Sequence, residues 1–371
     1  MRMTLVISSL RRGGAERIMS QLANSWALRG HQVTALTFDH GQPGYDVHSA
    51  VDLQQLRLEA ESKNTLQALS NNLHTILELR RAVHKSKPDI VISFMDRVNV
   101  VTLIATRGLA YPVIVYELVD PSRHDIGWTW RNLRKLTYPF ADALVCLTES
   151  TLARFQSLIG RKGHVIPGLL PVPAQFMGRN EQPHAGASSH TLIAMGRLEP
   201  QKGFDLLLDA FARIADRHPD WLLQILGQGP LRSGLEAQAL RLNLGKRVQF
   251  TGEVDDPFPL LCAADLFAFS SRFEGFGMAL AEAMACGLPA VSFDCPSGPR
   301  DIVRDGVDGI LVPPEDVAAL AVALDRLMGD AQERQRLGAR ASDVITRFSR
   351  DSVLSLWENL FNDLSTRHHG N

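Results

Sequence analysis

The chain has 371 residues, 45% hydrophobic and 21% charged, with a net charge of −1. That length is roughly two to three times the usual size of one hydrophobic core, so two domains are expected, and the composition excludes a disordered chain, a collagen-like repeat and a polytopic membrane protein. The near-zero total conceals an asymmetry: positions 1–170 carry 20 Lys and Arg against 14 Asp and Glu, a balance of +6, and the remainder carries 19 against 26, a balance of −7. A basic half beside an acidic one predicts that the first half faces something anionic, a phosphate-bearing substrate or a membrane surface. Nothing in the pattern calls for a nucleic-acid partner.

From the N-terminus, Thr4–Ser8 reads as a strand. Ala15–Arg29 places Ile18, Met19, Leu22, Ala23 and Trp26 on one helical face, Gly30 can end that helix, and Gln32–Phe38 is the next strand. Further strands are predicted at Asp89–Phe94, Pro112–Val119 and Ala143–Leu147. These runs are apolar on both faces, which suits a parallel sheet covered by helices. The pattern breaks at Pro167, Gly168, Pro171 and Pro173 and stays irregular through Ser189, so a linker is expected at 171–190 between a domain at 1–170 and another at 191–350.

In the second half strands are predicted at Thr191–Met195, Trp221–Leu226, Arg247–Thr251, Leu266–Phe269, Ala290–Phe293 and Gly309–Val312. Helices are predicted at Phe204–Arg217, Leu231–Leu242 and Met278–Cys286 and from Asp316 onward, with a final helix at 351–371 crossing back to the first domain. The fold class is therefore α/β, two Rossmann-like doubly wound domains whose strand carboxyl ends would face a central cleft.

The four cysteines, Cys146, Cys262, Cys286 and Cys295, stand singly, without the spacing of a zinc site or a disulfide framework. The opening apolar stretch is followed by Arg11 and Arg12, the wrong charge order for a signal peptide, and no run of about 18 apolar residues occurs. A cytoplasmic protein is expected.

Candidate chemistry lies in loops that follow strands. Gly13-Gly14, opening the first helix, lets backbone N–H groups approach a phosphate or sugar oxygen, or is simply a tight turn. It matches neither the dinucleotide fingerprint nor a P-loop. Arg197 and Lys202 flank the equivalent turn of the second half and together could neutralise a diphosphate. From Gly275 through Phe293 the only charged residue is Glu282. An ionised carboxylate in such surroundings costs several kcal/mol unless paired, so a functional partner such as ribose hydroxyls is expected. Glu274 precedes the glycines at the entrance of the same helix. Gly227-Gln228-Gly229-Pro230 could line the cleft or form a plain turn, and His124 reads as a loop histidine. The absence of Asp-x-Asp, HExxH and Gly-x-Ser-x-Gly argues against metal-dependent sugar transfer, zinc hydrolysis and serine-esterase chemistry.

Taken together, Gly13-Gly14-Ala15-Glu16-Arg17, Gly196-Arg197…Lys202-Gly203, the Glu-x7-Glu pair Glu274 and Glu282, and Asp294-Cys295-Pro296-Ser297-Gly298-Pro299-Arg300 resemble the retaining glycosyltransferases of family 4. The resemblance covers nearly the whole chain and implies the GT-B fold. It implies that Arg197 and Lys202 hold the donor diphosphate, Glu282 the ribose and Glu274 the transferred sugar. Backbone amides around Phe276, Gly277 and Met278 would support sugar and phosphate, Val254 would face the nucleobase, and Gly13 and Gly14 would complete the phosphate side. The substrates implied are a nucleotide-diphosphate sugar, UDP in preference, and a glycan or polyprenyl-diphosphate-linked acceptor, with no metal or other cofactor. A GT-B epimerase and a non-catalytic partner subunit are the alternatives.

Two departures stand out. Leu118 and Val119, between Glu117 and Asp120, occupy positions where related proteins place polar residues, and Gly168 stands where Asn is common. The basic clusters Arg80-Arg81-x3-Lys85-x-Lys87 and Arg131-x2-Arg134-Lys135, the latter beside Trp128 and Trp130, suit peripheral contact with an anionic membrane surface.

Overall fold

The structure, a computed structural model, describes residues 1–11, 13–58, 65–122, 124–170, 172–177 and 189–369. Arg12, Arg123, Pro171 and most of the expected linker lie outside the described residues. The chain forms two compact units, Met1–Leu169 with Val353–Asn371, and Leu170–Ser352.

In the first unit, strands β1 (Arg2–Ile7), β2 (Gln32–Thr37), β3 (Val51–Gln55), β4 (Ile90–Phe94), β5 (Val113–Glu117), β6 (Ala143–Cys146) and β7 (Gly163–Val165) form one sheet in the order β3-β2-β1-β4-β5-β6-β7. Every pairing is parallel. Helices α1 (Gly14–Leu28), α2 (Thr65–Ser86), α3 (Asp96–Ala105), α4 (Trp128–Thr137) and α5 (Glu149–Ile159) make the connections. Successive residues of a strand face opposite sides. Val113 and Val115 pack with Leu79, Val83, Val101, Leu103 and Phe155 from the helices on one side. Tyr116 points to the other, where its ring meets Trp357 at 5.4 Å.

The second unit repeats the plan with β8 (His190–Met195), β9 (Trp221–Leu226), β10 (Val248–Gly252), β11 (Leu266–Phe269), β12 (Ala290–Phe293) and β13 (Gly309–Val312), ordered β10-β9-β8-β11-β12-β13 and again all parallel. Its helices are α6 (Phe204–Ala212), α7 (Arg232–Arg241), α8 (Phe258–Ala263), α9 (Met278–Ala285), α10 (Pro299–Ile302), α11 (Val317–Gly329), α12 (Ala331–Ala341) and α13 (Val344–Arg347). The last helix, α14 (Arg350–His369), starts in this unit and continues in the first. There Trp357 meets the Trp26 ring of α1 edge-on at 5.5 Å, and both indoles are fully buried.

The doubly wound α/β class is thus the observed one, with several differences in detail. The helix expected at Phe204–Arg217 stops at Ala212, and a separate 3₁₀ turn follows at Ala215–Arg217. Pro219 disfavours the helical region for His218, which lies at φ −126°, ψ 68° and turns the chain toward β9. The strand expected at Pro112–Val119 ends at Glu117, because Glu117 opposite Cys146 is the last pair of the ladder. Leu118, beyond it, is 6% exposed and belongs to the packed interior, which gives its apolar side chain a structural reason. Edge strands β3 and β7 and helix α8 are too short or too mixed in pattern to stand out in the sequence.

Candidate active site

A doubly wound sheet opens a crevice where the strand order reverses. In the second unit that point lies between β8 and β11, from which β9 and β10 extend one way and β12 and β13 the other. The loops leaving the carboxyl ends of β8 and β11 are bound together through main-chain carbonyls: Arg272 N–H donates to the Gln201 carbonyl at 2.8 Å, the Ser270 hydroxyl to the Lys202 carbonyl at 2.9 Å, and the Gln201 side-chain amide to the Phe273 carbonyl at 2.9 Å. Gly203 makes this approach possible. It takes φ +62°, and a Cβ there would stand 2.0 Å from the Ser270 carbonyl oxygen.

The result is a contact between residues 72 positions apart: Lys202 Nζ donates to Glu274 Oε1 at 2.6 Å. The ammonium-bearing side chain is 17% exposed and the carboxylate 8%. The Ser271 hydroxyl donates to the same oxygen, also at 2.6 Å. A desolvated ion pair of this kind is tolerated because each charge neutralises the other and the hydroxyl takes up part of the remaining hydrogen-bonding demand. Lys202 lies along Gly196, whose missing side chain leaves room for it: a Cβ there would be 3.2 Å from its Cγ and Cδ.

Neighbouring loops extend the site. Leu198 N–H donates to the Gln228 carbonyl at 3.0 Å, and Gly227 N–H to the Gly252 carbonyl at 2.7 Å, so Gly227–Gly229 is more than a plain turn: it ties the loop after β9 to those after β8 and β10. Gly298, at φ +102°, brings the loop after β12 against the main chain of Phe276, where a Cβ would lie 1.7 Å from the carbonyl oxygen. Gly277 caps α9, with Met278 as its first residue. Phe276 is 3% exposed, and Glu282, the fifth residue of α9, is 1% exposed.

Arg197 stands apart from Lys202. Its guanidinium is within 3.1 Å of Glu199, and the side chain is 70% exposed. The expectation of two cations awaiting a diphosphate is therefore refined: each already has a glutamate of its own. Val254 follows β10 on a separate loop and is half-buried. Gly13 and Gly14 belong to the first unit, where Gly13 caps α1 in extended backbone. Glu16 folds back over that end, its Oε2 2.1 Å from where a Gly13 Cβ would be, so a carboxylate of the chain itself lies at the helix N-terminus, where anions are favoured.

Sequence reasoning missed Ser271 and Arg272. Arg272 holds Asp205 through two nitrogens at 2.9 and 2.7 Å and reaches Glu315 at 3.0 Å. Burial raises the Asp205 pKa, but these hydrogen bonds outweigh it and hold the carboxyl below its ordinary value. The only signal available was the polar Ser270-Ser271-Arg272 run directly after an apolar strand. The first unit carries carboxylates of its own where β4 and β5 end, Asp96 as the first residue of α3 and Glu117 as the last of β5. Asp96 lies 3.4 Å from half-exposed His124, and Glu117 is 2% exposed and accepts a hydrogen bond from the Tyr138 hydroxyl.

Residues 13–168 match the family described as glycosyl transferase 4-like domain, and residues 180–344 the family described as glycosyl transferases group 1. A Campylobacter jejuni protein named as a GalNAc-alpha-(1->4)-GalNAc-alpha-(1->3)-diNAcBac-PP-undecaprenol alpha-1,4-N-acetyl-D-galactosaminyltransferase is 28% identical over 96% of this chain and 97% of its own. The lipopolysaccharide core biosynthesis glycosyltransferase LpsE of Rhizobium meliloti is 29% identical over 92% and 93%. An exopolysaccharide phosphotransferase of Streptomyces coelicolor is 33% identical over 82% of this chain, which spans only 31% of that protein.

Among solved structures, HepE of Anabaena in complex with UDP superposes with a TM-score of 0.77 at 22% identity over 99% of this chain and all of the other. Sucrose-phosphate synthase of Thermosynechococcus elongatus superposes with a TM-score of 0.81 at 20% identity over 98% and 99%. The fold is thus that of the GT-B glycosyltransferases. With a glycosyl transferase 4-like domain followed by a glycosyl transferases group 1 domain, the chain belongs to the glycosyltransferases.

Proposed function

We propose that this protein is a retaining family 4 hexosyltransferase, moving a hexose or N-acetylhexosamine from a nucleotide-diphosphate sugar, UDP in preference, to a glycan or lipid-linked glycan in the assembly of bacterial surface polysaccharide. The observation that carries the reading is the Lys202–Glu274 pair at the topological switch point, 2.6 Å long and largely desolvated. The names of the Campylobacter and Rhizobium relatives support the acceptor class, and the UDP bound to HepE supports the nucleotide.

Breaking the anomeric bond leaves negative charge on the departing diphosphate. Lys202 carries three N–H donors and spends one on Glu274, so its ammonium is already oriented and can stabilise that charge without reorganising. Arg197 closes on the phosphates from the same loop, and amides at Phe276, Gly277 and Met278 add donors. Glu274, with Lys202 and Ser271 on Oε1, offers Oε2 to a hydroxyl of the transferred sugar, and Glu282 takes the ribose. Val254 faces the base. Retention brings the acceptor hydroxyl to the face the phosphate leaves, so no side chain acts as nucleophile, and no step requires a metal. The acceptor's lipid would place the protein peripherally on the inner face of the cytoplasmic membrane.

The test is incubation with radiolabelled UDP-hexoses and UDP-N-acetylhexosamines and a polyprenyl-diphosphate-linked glycan. Transfer with retained anomeric configuration is expected. Interconversion of the free nucleotide sugar, or binding without turnover, would overturn the assignment in favour of an epimerase or a partner subunit.

A further inference from the structure

Lys202 stands on a short support. It ends a single 3₁₀ turn, Pro200–Lys202, set between β8 and α6, and one such turn has too few internal hydrogen bonds to fix its own geometry. Its three carbonyls are all taken by one neighbouring segment, Ser270–Arg272. The Ser270 hydroxyl holds the Lys202 carbonyl and the Arg272 main-chain N–H that of Gln201. The Pro200 carbonyl accepts from the Arg272 side chain, through Nη1 at 2.7 Å.

The same guanidinium gathers two further elements. Nη1 and Nη2 hold the two oxygens of Asp205, in the first turn of α6, at 2.9 and 2.7 Å. Nε reaches Glu315 at 3.0 Å, in the loop after β13. Glu315 sits at φ +60°, a backbone region that is costly for a residue other than glycine. The Arg272 side chain is 25% exposed, and these bonds engage both hydrogens of Nη1 and one each on Nη2 and Nε. Lysine, whose donors radiate from one atom, cannot reproduce that fork. Pro200 and Asp205 bracket Lys202 in the chain, and Arg272 itself stands two residues before Glu274.

We infer that Arg272 is a positioning residue of the transfer reaction: its guanidinium sets the turn that bears Lys202 against the loop that bears Glu274, so that ammonium and carboxylate meet in the arrangement the departing diphosphate requires. The inference rests on the proposed function and deepens it. The bonds of Arg272 go to main-chain carbonyls and to Asp205 and Glu315, so it acts through Lys202 and not on the substrate. A cation displaced by about 1 Å from the place where charge develops forfeits much of its effect, on the order of 10²-fold at the extreme. Donor contacts that do not depend on Lys202 keep the ground-state complex, so the loss falls on kcat rather than on KM.

The experiment is a double-mutant cycle on the full chain, Arg272→Lys with Lys202→Ala, read by steady-state transfer from the UDP-sugar that the radiolabel assay selects. Arg272→Lys keeps the positive charge and loses the fork. It should lower kcat about tenfold while the donor KM stays within about twofold. In the Lys202→Ala background the same substitution should cost less than about threefold, because the group it positions is gone. Asp205→Asn, which loosens the fork from the other side, should follow the same pattern. Equal factors in the two backgrounds overturn the inference, since a residue that only stabilises the fold lowers activity whether or not Lys202 is present. A second readout uses no substrate: acetylation with N-hydroxysuccinimidyl acetate, followed peptide by peptide by mass spectrometry, with exposed Lys246 as the internal reference. Lys202, 17% exposed and paired, should label severalfold faster relative to Lys246 in Arg272→Lys than in the wild type, and an unchanged ratio overturns the inference. A wild type that transfers nothing would overturn the proposed function instead, and the labelling ratio would still decide whether Arg272 holds Lys202 in place.

Discussion

The two units carry the same topology and each buries a carboxylate near the carboxyl ends of its strands, but they solve the cost differently. In the second, Glu274 is compensated by the Lys202 ammonium and the Ser271 hydroxyl. In the first, Glu117 ends β5 inside a network of largely neutral groups: Tyr138 donates to it, Asn99 donates to the Tyr138 oxygen and the Tyr116 carbonyl at 3.3 Å each, and Ser93 donates to Asn99 at 2.7 Å. Desolvation dominates there. It pushes the Glu117 pKa up to about 7, against the Tyr138 hydrogen bond and Arg134 and with the help of Asp96. An ion pair keeps charge available at a site meant to receive charge; a hydrogen-bonded interior holds a proton and favours rigidity. The proposed function accordingly puts donor chemistry in the second unit, and the Glu117 network holds β5, α3 and the Tyr138 turn together.

The largest effect expected on this contrast is Lys202→Ala. Losing the prepositioned cation should lower kcat/KM for sugar transfer by ~10²-fold or more, on the scale of one oxyanion-type donor, and should leave Glu274 buried without its counterion. Near-normal turnover would remove Lys202 from the mechanism. Steady-state kinetics with the UDP-sugar that supports transfer in the radiolabel assay is the measurement.

A smaller effect, in stability rather than rate, is expected of Glu117→Gln. Between the ordinary value of 4.5 and about 7 the unfolded chain ionises this group while the folded one keeps its proton. Wild-type stability should therefore fall with rising pH in that window, by about 1.4 kcal/mol per pH unit from this group alone, and level off above it. The glutamine variant should lack this component and gain on the wild type as pH rises from 5 to 8. Parallel melting curves of the two proteins across that range would show that Glu117 is already ionised in the folded state.

The smallest effects separate the adjacent arginines of α2. Arg80→Ala removes two charged hydrogen bonds to carbonyls at the end of α3 and should cost about 2 kcal/mol in denaturant unfolding. Arg81, 74% exposed and paired with Glu78, should cost less than about 1 kcal/mol. Equal losses would mean that the inward direction of Arg80 carries no energy.

Much of the fold was legible in the sequence. Four strands of the second unit, Trp221–Leu226, Leu266–Phe269, Ala290–Phe293 and Gly309–Val312, lie at the predicted bounds, because buried parallel strands are apolar on both faces and end where glycine, proline or charge resumes. The lone charge of Glu282 in an apolar helix was equally legible, since composition records what a carboxylate's neighbours are.

What the sequence by itself determined is therefore local: the alternation of strand and helix, the turns that follow strands, and the residue types offered at each turn. Only the tertiary structure decided which of them meet. Lys202 reaches Glu274 because the strand order places β8 beside β11. Trp357 closes on Trp26 across the length of the chain, and Arg80 and Arg134 turn inward while Lys135 stays outside. Periodicity is a property of neighbours along the chain, whereas charge pairing and side-chain burial depend on neighbours in space, which the order of strands in the sheet supplies.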